Sequence, residues 1–145
     1  MKQISEPVTA HTHGFSVAVQ HWYDQQLSIM SNETIFAYRV TITNYSKYCY
    51  ALRMRYWQIS EPFVAIREIE GCGINGAQPV LLPGQSFTYK SNVQLSGIHG
   101  SLAGYYLLHA CDAQGKDKIS CNPPRINLLC IEIPRFNLIL PAVLN

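Results

Sequence analysis

Charged side chains are scarce in this chain. Asp, Glu, Lys and Arg make up only 14% of it and leave a formal net charge of +2. The basic residues are scattered, the closest groupings being Arg53 with Arg55 and Lys116 with Lys118. Nucleic acid calls for a dense basic patch, so it is not an expected partner. Long apolar runs are missing as well. The most apolar stretch, residues 126–144, is broken by Glu132, Pro134, Arg135 and Pro141, and it falls short of the ~20 apolar residues of a membrane helix. The first seven residues carry one positive charge and no apolar centre, which is not the pattern of a secretory signal. No membrane partner is expected, and the cytoplasm is the expected location.

Cysteine pairing motifs are also lacking. The five cysteines stand at 49, 72, 111, 121 and 130, and no two form CxxC. An odd count at irregular spacing argues against a closed disulfide framework and against a structural zinc site. Reduced, partly buried thiols suit a reducing compartment. No segment of ten or more residues shows a helical period, and no repeat, linker or low-complexity run is visible.

What is present is apolar and punctuated. Hydrophobic residues form 48% of 145 residues, enough to bury a core without metal or disulfide and too many for a disordered chain. One domain spanning residues 1–145 is expected, with 1–13 a flexible polar segment. Runs rich in Val, Ile, Tyr and Phe lie between glycines and prolines, the pattern of short strands. Residues 15–20 read as a first strand and 25–33 as a polar loop. Residues 35–43 alternate cleanly, with Phe36, Tyr38, Val40 and Ile42 on one face. Residues 48–60 are expected to pair with that strand as a hairpin. On it, Tyr50, Leu52, Met54 and Tyr56 share one face, and Arg53, Arg55 and Trp57 share the other. Trp57 is expected to cover the sheet with the arginine stems over it; a cation–π stack is the alternative. Further strands are expected at 63–69, 80–82, 87–95, 105–111, 128–133 and 138–140. About eight strands make a two-sheet β-sandwich, and a small barrel is not separated from it by periodicity.

The candidate motifs are few. Residues 71–76 match G-x-G-x-x-G literally. In a dinucleotide fold the glycines end a strand and open a helix that receives pyrophosphate. Here Pro79 and Pro83 follow and forbid a long helix, so a Rossmann site is excluded. Two readings remain: a backbone nest for an anion, or a loop that needs positive φ and close approach. His11 and His13 alternate, with no third metal ligand evident, so no metal is expected. His109 and Cys111 would share a strand face, but Leu107 shares it too, which favours packing. Glu68 and Glu70 fall on one side and read as a solvated face. No nucleophile, base and charge stabiliser come together. No enzyme activity, catalytic residue or cofactor is expected.

The order of motifs resembles the ApaG family. The resemblance runs through Phe36-Ala37-Tyr38, Ile42-Thr43-Asn44 and Arg55-Tyr56-Trp57-Gln58-Ile59. It is densest over residues 71–79 and 82–91, resumes over 100–106, and ends with residues 131–138 and Leu144-Asn145. It covers roughly 110 to 130 of the 145 positions. The chain departs from the family at Ile74-Asn75, where the family has two valines, and at Ala77, Leu102 and Ala103. Residues 116–127 are longer than usual and are expected to put Cys121 and the Pro123-Pro124 pair at a loop tip. The resemblance implies an immunoglobulin or fibronectin type III-like sandwich and a bacterial cytoplasmic protein linked to cobalt resistance and magnesium efflux. It implies a binding module, as for related domains of eukaryotic F-box proteins and of a polymerase-interacting protein. An unidentified protein partner, or a homodimer, is expected. Arg55, Tyr56 and Trp57 are the candidate interaction surface. The glycine loop, with Gly71, Gly73, Asn75, Gly76, Gln78 and Pro79, is a candidate site for phosphate or a pyrophosphate-containing nucleotide.

Overall fold

The computed structural model describes residues 3–118 and 127–141. Cys121 and the Pro123-Pro124 pair lie outside the described residues. Nine strands and one short helix follow in order: β1 (Val8–Thr12), β2 (Phe15–Tyr23), α1 (Gln25–Ser31), β3 (Thr34–Asn44), β4 (Tyr50–Ser60), β5 (Arg67–Cys72), β6 (Val80–Leu81), β7 (Ser86–Leu95), β8 (His99–Ala110) and β9 (Leu128–Ile139). They form two antiparallel sheets, β1-β2-β3-β7 and β5-β4-β8-β9, with β6 pairing β4. The protein is an all-β sandwich.

Alternation places the core between the sheets. Phe15, Val17 and Val19 of β2 and Phe36, Tyr38, Val40 and Ile42 of β3 face inward from the first sheet. Tyr50, Leu52, Trp57 and Ile59 of β4, with Leu102, Tyr106 and Leu108 of β8 and Leu129, Ile131, Ile133 and Phe136 of β9, face them from the second. All of these are buried.

Several expectations are corrected. Residues 8–12, expected to be flexible, form β1, which pairs with β2 through a two-residue turn at His13 (φ 51°) and Gly14 (φ 81°). Two successive positive φ values match the right-handed twist of a hairpin. Residues 25–31, expected as a loop, form α1, because Asp24 accepts a hydrogen bond from the Leu27 N–H at 3.0 Å and caps the helix. Residues 63–66 precede β5 rather than belonging to it, and Phe63 is fully exposed with φ 62°.

The expected hairpin of β3 with β4 does not form. β3 pairs β2 and β7, and β4 lies in the other sheet. Buried Asn44 fastens the crossover: its amide donates to the carbonyls of Tyr48 (2.8 Å) and Leu81 (2.9 Å), while its oxygen accepts from Ser46. The sandwich is closed along one side where β1 and β2 meet β9. Along the other side, the edge strands β5 and β7 face each other across a gap. At one end of that gap Arg67 of β5 donates to the Gln94 carbonyl of β7 at 2.6 Å.

Candidate functional site

The candidate residues gather at the β5 side of the second sheet, but on two faces of it. The cause is a β-bulge between Leu52 and Met54 of β4. A bulge adds one residue and reverses the face of everything after it. Tyr50 and Leu52 face inward before the bulge; Arg55, Trp57 and Ile59 share that inner side after it. Tyr56 faces outward. The three consecutive candidates therefore divide, with Arg55 and Trp57 between the sheets and Tyr56 on the outside.

Trp57 is buried and packs near Tyr38 (5.1 Å between ring centroids) and Phe136 (6.1 Å). It is a core residue, which removes it from any exposed interaction surface. The tryptophan that lies under cations is Trp22 of β2, with Arg39 at 5.5 Å and Lys90 at 5.4 Å from its ring.

The glycine segment is a tight turn built by its own backbone. Ile74 and Ala77 exchange hydrogen bonds, Ile74 N–H to Ala77 O at 2.7 Å and Ala77 N–H to Ile74 O at 2.9 Å. The two residues between them, Asn75 (φ 50°) and Gly76 (φ 80°), both have positive φ. This is the Asn-Gly pair of a two-residue hairpin turn. The Gly73 N–H donates to the Arg53 carbonyl at 2.8 Å, and Leu52 N–H donates to the Pro79 carbonyl at 2.9 Å. Gln78 accepts from Arg53 at 2.6 Å. Thus the N–H groups of Gly73, Ile74 and Ala77 are spent inside the fold.

Arg55 completes this segment from beneath. Its Nη1 donates to the carbonyls of Cys72 (3.2 Å) and Gly73 (2.9 Å). The guanidinium lies over Gly71, where a Cβ would come within 2.7 Å of both terminal nitrogens. Beside it opens a cavity of about 160 Å³ between the sheets, lined in part by Tyr38, Arg55, Trp57, Ile69, Asn75 and Tyr89. Tyr89 and Tyr106 join their hydroxyls by a hydrogen bond across the core. Burial pushes the phenols of Tyr38, Tyr89 and Tyr106 above their ordinary range, and the Arg55 charge draws each part of the way back.

The outer face of the second sheet carries a different pattern. The registers place Glu70, Tyr56, Tyr105 and Glu132 in one cross-strand row over β5, β4, β8 and β9. The two rings stack at 4.8 Å. The adjacent row is Cys72, Met54, Leu107 and Cys130. On the other side of the tyrosines lie Gln58 and Glu68. Partial desolvation, then Glu68, Tyr105 and Glu70, raise the Tyr56 phenol. The expected solvated pair, Glu68 and Glu70, is exposed.

The remaining candidates do not converge. His11 is exposed on β1, and His13 is exposed in the turn. Cys111 is buried with its Sγ 3.4 Å from that of Cys49, and burial pushes its thiol up to about 12. His109 instead places Nδ1 2.8 Å from the Ala110 carbonyl and 3.4 Å from Asp117. Asp117 is held below its usual range, first by its hydrogen bond from Arg53 at 2.7 Å.

Residues 24–110 match the family described as the ApaG domain. A Protein ApaG from Brucella anthropi is 35% identical over 133 residues, covering 91% of this chain and 92% of that protein. The chain belongs to the ApaG family. Solved structures share the architecture of this ApaG chain as well. A Bordetella pertussis protein described as ApaA superposes with a TM-score of 0.71 at 27% identity, covering 88% of this chain and 94% of that one. An X-ray structure of a structural-genomics target gives a TM-score of 0.72 at 25% identity, covering 94% of each chain. None of these three names specifies a reaction.

Proposed function

We propose that this ApaG domain is a non-enzymatic protein-binding module of the cytoplasm, and that it binds through the outer face of its second sheet. The observation that carries the reading is the cross-strand row Glu70–Tyr56–Tyr105–Glu132. Stacked aromatics supply a rigid, amphipathic anchor at low entropic cost. Carboxylates at both ends of the row, with Glu68 beside it, concentrate negative charge on a chain whose net charge is +2. The matching partner is an extended, basic protein segment whose Lys or Arg side chains lie over the tyrosine rings. A second copy of this chain is a poorer match, because a two-fold pairing of this face would set carboxylates near carboxylates. The same negative charge disfavours a phosphate backbone. Beside this face, β5 is an edge strand exposed along most of its length and open to strand addition.

The link to cobalt resistance and magnesium efflux enters the proposal through the bound partner rather than through an ion held by this chain. The glycine turn serves it only indirectly, by holding the end of β5 against β4.

Affinity purification with mass spectrometry from native cells, run side by side with wild type and Tyr56→Ala, tests the reading. Partners retained by the wild type should weaken by about thirtyfold with the variant, the loss of one aromatic anchor worth ~2 kcal/mol, while its melting temperature stays within a few degrees. Amide exchange should slow at residues 54–58 and 103–107 in the reconstituted complex. Equal capture by both proteins, or protection confined to the first sheet, refutes it.

A further inference from the structure

A cation stands on the inner side of the sandwich, away from the outer tyrosine face. Arg55 sits in register between Gly71 of β5 and Tyr106 of β8, on the core side of β4. It is half-buried. Among the described residues no carboxylate comes within ion-pair distance of it; the ion pairs there belong to Arg53, Arg67 and His109. Its hydrogen bonds to Cys72 and Gly73 both leave from Nη1. A guanidinium carries five N–H donors and keeps its charge at every physiological pH. A partly desolvated charge without a counter-charge is costly.

The surroundings are built to keep it there. Gly71 leaves out the Cβ that would displace the guanidinium, and the carbonyls of the turn at 72 and 73 clamp one of its nitrogens. The cavity it borders, about 160 Å³, lies between the two edge strands on the open side of the sandwich. That is room for about five waters, or for a ligand smaller than the drug-sized class. Its lining is mixed: Trp57, Ile59, Ile69, Val93 and Leu102 supply an apolar part, and Asn75, Ser91 and Asn92 beside Arg55 a polar part of similar extent.

We propose that this cavity is a binding site for a small organic monocarboxylate, with Arg55 taking the carboxylate and the inter-sheet walls taking the apolar body. One fixed cation balances one negative charge, and a planar fork of donors fits a carboxylate. Pyrophosphate, and phosphate as its dianion, bring two or more charges to a site with a single cation, and the tetrahedral phosphate monoanion matches the planar donor fork less well than a carboxylate, so they bind more weakly here. The site is independent of the outer tyrosine face.

The test is a titration of the full chain with butyrate, benzoate, inorganic phosphate and pyrophosphate, followed by the Arg55 Nε–H resonance and by calorimetry. Butyrate or benzoate should saturate with a dissociation constant of about 1 mM or tighter and shift that resonance. Arg55→Gln keeps a donor for the turn carbonyls but removes the charge, and it should weaken binding by about tenfold or more. Ile69→Phe, at the exposed rim, narrows the cavity without touching Arg55 and should also weaken binding. If Arg55→Gln does not fold, Ile69→Phe decides alone: weaker binding supports the site, and unchanged affinity overturns it. The absence of saturable carboxylate binding up to about 10 mM overturns the proposal. So does unchanged affinity in a folded Arg55→Gln variant, or tighter binding of phosphate or pyrophosphate than of either carboxylate.

Discussion

A methyl group added at Gly73 would stand 2.0 Å from the Ala77 carbonyl oxygen, at a residue whose φ is +61°. That oxygen is the acceptor that closes the turn, so it is not free to move aside. At Gly76 φ is +80°, yet nothing lies within 4 Å of an added Cβ. The two glycines therefore answer to different forces, a steric one and a purely conformational one. Gly76→Ala should cost about 1–2 kcal/mol, the price of a left-handed backbone with a side chain. Gly73→Ala should cost clearly more, about 3 kcal/mol or above, because strain and a displaced carbonyl add. Urea unfolding of the two variants checks the order. Two neutral substitutions would mean that the glycines serve ligand approach and not the turn, and the account given for residues 71–77 would fail.

Helix α1 spans seven residues, too few for a 3.6-residue period to show itself in the sequence. Its start was nevertheless written in Asp24, whose carboxylate accepts from the N–H three residues on, and its end in Asn32, which takes the left-handed cap at φ 56°. Asp24→Ala should cost about 1 kcal/mol and lower the melting temperature by about 2–4 °C, read by a calorimetric scan; no change would mean that packing against β3 alone holds the helix. The contrast with β3 explains what a sequence discloses. Phe36, Tyr38, Val40 and Ile42 alternate over a whole strand, so their inward face was legible. The partner of that strand was not, since alternation says nothing about which sheet follows, and the turn residues 44–47 suit a crossover as well as a hairpin. On β4 the period itself misleads: one extra residue at the bulge puts Trp57 on the side that Tyr50 and Leu52 occupy. The triplet 55–57 was found by its motif, but its division between cavity and surface depends on that single insertion. The Asn75-Gly76 turn is readable from the dipeptide alone, whereas the glycine spacing around it imitates a phosphate loop without the helix that such a loop opens.

At the scale of the whole molecule, the two sheets meet through phenols. Tyr38 from the first sheet and Tyr106 from the second are buried, and Tyr89 from β7 bonds Tyr106 across the interface. Burial raises all three above the ordinary value near 10. Below that value both folded and unfolded chains hold these protons, and stability does not depend on them. Above it the unfolded chain releases protons that the folded chain retains, so stability falls as pH rises. Tyr89 and Tyr106 are held furthest up, and each proton they retain contributes a slope of about 1.4 kcal/mol per pH unit, so the two give about 3 kcal/mol per unit. A domain of ordinary stability, about 5–15 kcal/mol, would then lose a large part of it within two units above pH 10. Urea midpoints measured from pH 8 to 12 should be flat at first and then drop steeply, with the sheets separating together. Tyr89→Phe removes one of these two protons and should flatten the alkaline limb by about half, even though it weakens the protein at pH 8 by the loss of the hydroxyl pair. A midpoint indifferent to pH up to 12, or an alkaline slope unchanged in that variant, would show that the phenols between the sheets ionise freely and that the core is wetter there than its burial implies.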